Sequence, residues 1–202
     1  MKLYGQELTR REVAALSGDL AQFAGVRLMT LGDGAERGQR VLDFRSGTGL
    51  RFNLMVDRCM DIGSCEYSGK AIGWNSAAGF RNPALHDYEG EDGLGFMRSF
   101  SGLLMTCGLD HILGGYKADA VEYNYPGRPD VSQSIHGRVN MLPARLTGYG
   151  ERWEDDRCFL WAEGVVRQAA VFAEDLELVR RVEVEVGSND IHLSDRVRNC
   201  GF

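Results

Sequence analysis

The feature that most constrains the fold is alternation of apolar and polar residues. In LRFNLMVD, residues 50–57, Leu50, Phe52, Leu54 and Val56 alternate with Arg51, Asn53, Met55 and Asp57. Successive side chains on an extended backbone point to opposite faces, so a period of two gives a strand with one buried side. RVEVEVGSNDIHLSDRV, residues 181–197, repeats the pattern twice. Val182, Val184 and Val186 face one way and Glu183 and Glu185 the other; Gly187-Ser188-Asn189-Asp190 supplies turn chemistry; Ile191, Leu193 and Val197 then alternate with His192, Ser194 and Arg196. This predicts a β-hairpin. Less regular alternation over 159–173, with Val165, Ala169 and Val171 among its apolar positions, predicts a further strand.

The 26 glycines are close to double ordinary usage and punctuate short apolar segments, as turns between many strands do. One short helix is predicted near residues 9–17. Thr9-Arg10-Arg11-Glu12 has capping-box spacing, Val13 and Leu16 share a face, and Gly18 can end it. No repeat or domain boundary interrupts the chain, so residues 1–202 read as a single antiparallel β domain, a sandwich or barrel.

Charge and composition narrow the partners. With 44% hydrophobic and 26% charged residues the balance is globular, and a net charge of −6 lacks the surplus of Lys and Arg that nucleic acid or an anionic membrane requires. No apolar run approaches the roughly 18 to 20 residues that cross a bilayer, and the first residues lack the apolar core of a signal peptide. A cytoplasmic protein is expected. Five cysteines, with no Cys-x-x-Cys, read as free thiols. No metal site and no cofactor is expected: Asp110-His111, the nearest approach to a ligand cluster, would point to opposite faces of a strand.

Polar clusters interrupt the strands. MVDRCMDIG holds Asp57, Arg58 and Asp61; GFMRSFSGLLMTCGLDH holds Arg98 and Asp110; SIHGRVN holds His136 and Arg138, which an extended backbone would place on one face; Asp195-Arg196-Val197-Arg198-Asn199 lies near the end. Each has a plain structural reading. Asp57 and Arg58 make a strand-end ion pair, His136 before Gly137 a turn residue, and Trp74 a core residue. GDGAERG at 32–38 is a surface turn, because no Gly-Lys-Ser/Thr follows.

Taken in order, LYGQELTRREVAALSG, DRCMDIG, GWNSAAGF, TCGLDH, IHGRV and RNCGF resemble the galactose mutarotase-like superfamily, and within it a bacterial family of uncharacterised aldose 1-epimerase-like proteins. The resemblance spans essentially the whole chain. It departs at Cys59, where the family shows a glycine, and a cysteine tolerates positive φ poorly.

The resemblance implies an all-β, antiparallel β-supersandwich curved around a sugar cleft. It also implies interconversion of sugar anomers: a carboxylate takes the anomeric proton, a histidine protonates the ring oxygen, and the ring opens and recloses. His136 in IHGRV matches a histidine that lines the cleft and assists the acid. Arg58, Asp61, Arg98, Asp110 and Arg138 are expected to converge with it beside Trp74, since sugars are held by charged bidentate groups against an aromatic face. The second histidine and the base fall beyond Phe202 in that family, whose members are longer. This chain is therefore expected to form the N-terminal part of the supersandwich, incomplete at the C-terminal side. Its open edge would be covered by further chain or a second copy in a homo-oligomer. The competing function is a non-catalytic sugar-binding or sensing domain without the acid-base pair; a β-domain with no ligand stands behind both.

Overall fold

The computed structural model describes residues 1–202 apart from 124–126, 172 and 202, so Phe202, the last residue of the RNCGF motif, lies outside the described residues. The strands are β1 (Lys2–Leu3), β2 (Gln6–Glu7), β3 (Gly25–Thr30), β4 (Arg40–Arg45), β5 (Leu50–Met55), β6 (Asp61–Tyr67), β7 (Lys70–Ala71), β8 (Tyr116–Asp119), β9 (Asp130–Gln133), β10 (Arg145–Glu154), β11 (Arg157–Ala169), β12 (Asp175–Glu185) and β13 (His192–Asn199). Every described strand pair is antiparallel. A five-stranded sheet runs in the order β3-β4-β5-β6-β7, a four-stranded sheet in the order β10-β11-β12-β13, and β1-β2 and β8-β9 form small pairs.

The alternation builds a sandwich because each large sheet has one apolar face. Leu42, Phe44, Phe52 and Leu54 of the five-stranded sheet share a core with Leu160, Ala162, Val166, Leu178, Val182 and Val184 of the four-stranded sheet. Phe44 and Phe52 are register partners and stack with ring centroids 4.8 Å apart. Burial of each such ring contributes roughly 1.5 to 3 kcal/mol. The helix α1 (Arg10–Leu16) forms behind a complete Thr9–Glu12 capping box and buries only Val13; Leu16 is 63% exposed, not on a shared buried face.

The alternation misreads several positions. Met55, on the polar side of its strand, is buried, because the chain after β7 returns over that face and the amides of Leu103 and Leu104 bond to Ile62 O. In β11 the inward set is Cys158, Leu160, Ala162 and Val166; Val165 and Ala169 take the opposite register and Val171 lies past the strand end. The hairpin forms as predicted, but every residue of β13 is exposed, Val197 at 55%, and the strand ends the four-stranded sheet. No helix among the described residues is long and apolar enough to cross a membrane.

Candidate functional site

One irregular segment, Ser101–Asp110, strings the sequence-predicted residues together. Ser101 O accepts from Arg58 Nη2 at 3.1 Å. Gly102 bridges Trp74 through its amide, at 2.8 Å. Thr106 donates to Asp61 Oδ1 from its amide at 2.9 Å and its hydroxyl at 2.5 Å. The Gly108 amide bonds to His136 O at 3.1 Å, and Asp110 lies 3.0 Å from Arg138. The segment holds no regular strand, so Asp110 and His111 do not occupy opposite faces of one.

On its inner side lies a closed network. Arg58 and Asp61 are both 0% exposed. Arg58 does not pair with Asp57, which instead accepts from the Arg40 amide at 2.7 Å and Arg40 Nε at 2.9 Å. The Arg58 guanidinium sits 5.9 Å over the Phe80 ring, with Nε and Nη1 unbonded among the described residues. Arg180 ties the network together. It holds Asp195, its register partner, through two bonds of 2.8 and 2.7 Å, and its Nη1 reaches Thr106 Oγ1 at 2.7 Å, Cys59 O at 3.2 Å and Asp61 at 3.4 Å. Burial pushes the Asp61 carboxyl up to about 6, against the hydrogen bonds of Thr106 and the charges of Arg58 and Arg180. Much of Arg180's charge is already matched by Asp195, so burial wins. Cys59 and Met60 take φ of 55° in the turn after β5, so the cysteine adopts a left-handed backbone that favours glycine. Its amide and carbonyl are both bonded, which over-determines the strained conformation.

On the outer side the arrangement is open. His136 sits at φ 62° and Gly137 at φ 73°, a turn and not the extended backbone that would align His136 with Arg138. Gly137 is obligatory: a Cβ there would lie 2.2 Å from Asp110 Oδ1. The His136 amide donates to Leu113 O at 2.9 Å and the Leu113 amide donates to His136 Nδ1 at 3.2 Å. In the neutral ring this assigns the proton to Nε2, which makes no hydrogen bond among the described residues. The imidazole packs on Phe96 at 4.9 Å, Phe96 on Phe100 at 5.4 Å and Phe100 on Trp74 at 5.5 Å, an unbroken aromatic row. Trp74 is 59% exposed and so is not a core residue. Arg138 is ringed by Asp110 at 3.0 Å, Glu89 at 3.4 Å and Glu174 at 3.6 Å; the Asp110 contact is electrostatic, without the alignment of a hydrogen bond. Arg98 lies in the turn that carries Phe96, is exposed, and pairs with Glu91.

A cavity of about 810 Å³ opens beside this turn, its lining including Glu89, Leu94, Gln133 and Ser134. No group of three or more His, Cys, Asp or Glu among the described residues could hold a metal ion. Sequence reasoning missed Arg180, Thr106, Phe96 and Phe100. Arg180 had a legible signal, as a charge in the inward register between Leu178 and Val182. The two phenylalanines are four apart in FMRSF, a spacing that has meaning only once the turn is known.

The family model for a domain of unknown function, DUF4432, matches residues 36–202. None of the curated proteins compared with the chain matches it. Among solved structures, a candidate aldose 1-epimerase from Klebsiella pneumoniae subsp. pneumoniae MGH 78578 superposes with a TM-score of 0.74 at 24% identity, over 87% of this chain and 43% of that one. A galactose 1-epimerase from Lactobacillus acidophilus NCFM gives a TM-score of 0.47 at 12% identity, over 86% of this chain and 48% of that one, too low to bear weight. The chain thus spans less than half the length of either structure. The first likeness shows the fold, an antiparallel β-sandwich shared with that structure, and by the match over residues 36–202 the chain belongs to the DUF4432 family.

Proposed function

We propose that this chain forms the sugar-contacting wall of an aldose 1-epimerase-like protein of the cytoplasm, with a monosaccharide or sugar derivative as ligand. The observation that carries the reading is the row Trp74–Phe100–Phe96 ending on an imidazole whose Nε2 makes no hydrogen bond among the described residues. Sugars present apolar C–H faces and hydroxyl edges; the exposed rings of Trp74 and Phe100 suit the first and His136 the second, with Phe96, 4% exposed, as the buried link between them. Arg138, with Asp110 and Glu89 around it, supplies polar groups next to the same turn. Arg58 and Asp61 act from the interior by fixing segment 101–110, and Arg98 flanks the row from the solvent side.

In the proposed role His136 donates from Nε2 to a sugar oxygen while the Leu113 amide holds its tautomer. Anomer exchange also needs a base on the anomeric hydroxyl. The carboxylates nearest this turn, Asp110, Glu89 and Glu174, are all engaged with Arg138. That engagement favours a second reading, a domain that binds sugar without turning it over. In the first reading, the base and a second histidine come from sequence that follows RNCGF in longer relatives. The exposed strand β13, whose Leu193 and Val197 stand opposite the core residues Val182 and Leu178 and so extend the core-facing side of the sheet, is the edge on which further chain or a second copy would pack.

Exchange NMR on α- and β-anomers of glucose and galactose with the 202-residue chain separates the readings. Binding without acceleration is expected. Acceleration lost in His136→Asn, a substitution that tolerates the positive φ, would make His136 the proton donor. Absence of binding by any aldose would sink the sugar assignment.

A further inference from the structure

We propose that the outer face of the five-stranded sheet carries a second binding site, remote in sequence from the His136 turn, that takes a phosphate group, free or as the monoester of a small metabolite. Adjacent strands each contribute an arginine to this face: Arg27 from β3, Arg45 from β4 and Arg51 from β5. The register sets Arg45 directly opposite Arg51 and Arg27 opposite Asp43. Like charges opposed across a strand pair are unfavourable unless something neutralises them. Asp43 does so only in part. Asp43 is 7% exposed and its carboxylate is taken by Arg51, through Nε at 2.8 Å and Nη2 at 3.3 Å. Arg27 makes no ion pair among the described residues, and Arg45 has committed one N–H, to Ala21 O at 2.6 Å.

These side chains line a cavity of about 390 Å³ together with Ala21, Gly25, Val26 and Met29. Its charged lining, three arginines and one aspartate, sums to +2 in a chain of net charge −6. Glu66 faces Arg51 from β6 but does not line the cavity. Gly25 stands opposite Arg45 and contributes no side chain, which leaves the floor open. Forked guanidinium donors converging on such a space suit the several acceptor oxygens of a phosphate, and the volume exceeds what phosphate alone requires.

The test is a ¹H–¹⁵N NMR titration of the full chain at constant ionic strength with inorganic phosphate, glycerol 3-phosphate and sodium chloride. Saturable shifts at Gly25, Arg27, Arg45 and Arg51 are expected with both phosphates and not with chloride. Arg45→Gln should weaken binding about tenfold, the loss of one charge-assisted contact. Gly25→Leu, whose Cβ meets nothing closer than Ala21 at 3.7 Å, should block the monoester without altering charge. Tighter binding of glycerol 3-phosphate would assign an esterified ligand, and equal binding would assign recognition of phosphate alone. Shifts that match chloride, or saturable binding that survives both Arg27→Gln and Arg45→Gln, would overturn the site. Glucose titrated alone should leave these amides unmoved, which keeps the outcome separate from that at His136.

Discussion

Arg180 and Arg138 are both arginines ringed by carboxylates, and they differ in what surrounds the ring. Arg180 is 2% exposed and spends its donors on Asp195, Thr106 and Cys59 O in aligned hydrogen bonds. Arg138 has ion pairs of 3.0 to 3.6 Å, none of them aligned as a hydrogen bond, beside a half-buried histidine and an exposed tryptophan. A network buried between sheets fixes the backbone, and the atoms it leaves unbonded among the described residues, Arg58 Nε and Nη1 and Asp61 Oδ2, are shut away from solvent and so lack the capacity to meet a ligand there. Loosely held charges next to an aromatic row keep that capacity. Segment 101–110 joins the two, so the closed network positions the open one.

The largest expected effect comes from breaking the closed side. Arg180→Ala leaves Asp195 without its cation and Asp61 with only Arg58, and removing one partner of a buried pair costs about 3 to 5 kcal/mol. Urea denaturation should show the unfolding free energy falling by that much. A loss under about 1 kcal/mol would mean that Arg180 does not organise the interior.

Next is the pH dependence of Asp61. Its carboxyl titrates near 6 in the fold against an ordinary value of 3.8, so the folded state holds the proton more tightly than the unfolded chain does. The stabilising contribution is therefore complete below about pH 4 and is lost as pH rises through about 6. Relative to Asp61→Asn, the parent should lose on the order of 3 kcal/mol between pH 4 and pH 7, by the usual conversion of pKa shift to free energy. Parallel stability curves for the two proteins would contradict this.

On the open side the effects are smaller and fall on binding. Trp74→Ala should leave the melting temperature nearly unchanged, because the ring is 59% exposed. It should weaken sugar binding about threefold to tenfold, the value of one ring contact. Arg98→Ala, which removes a solvent-exposed pair with Glu91, is expected to change neither stability nor binding measurably. A clear loss of binding in Arg98→Ala would move the site toward the solvent edge of the turn.

This contrast also marks what the sequence could reveal. Alternation in β5 and β12 is a local property of the chain, so strands, hairpin and much of the core were legible. The Thr9–Glu12 cap was legible for the same reason. The inward side of β11 was misread because Cys158, Ala162 and Gly164 are small and weakly patterned beside Trp161 and Val165. The roles of the site residues depend on long-range placement. DRCMDIG suggested an Asp57–Arg58 pair, yet Asp57 belongs to Arg40 and Arg58 to Ser101 O, partners fixed only when distant segments meet. His136 and Arg138 were paired by an extended backbone that a left-handed turn at His136 and Gly137 replaces.

The most direct test of the open side as the ligand site is a ¹⁵N-histidine and amide NMR titration of the chain with aldoses at pH 7, beside His136→Asn. Saturable movement of the His136 imidazole nitrogens, the Trp74 indole and the Arg138 amide is expected, with Thr106 and Arg180 silent, and a tenfold or greater loss of affinity in the variant. Saturable binding with an unmoved His136, or with unchanged affinity in His136→Asn, would contradict the assignment.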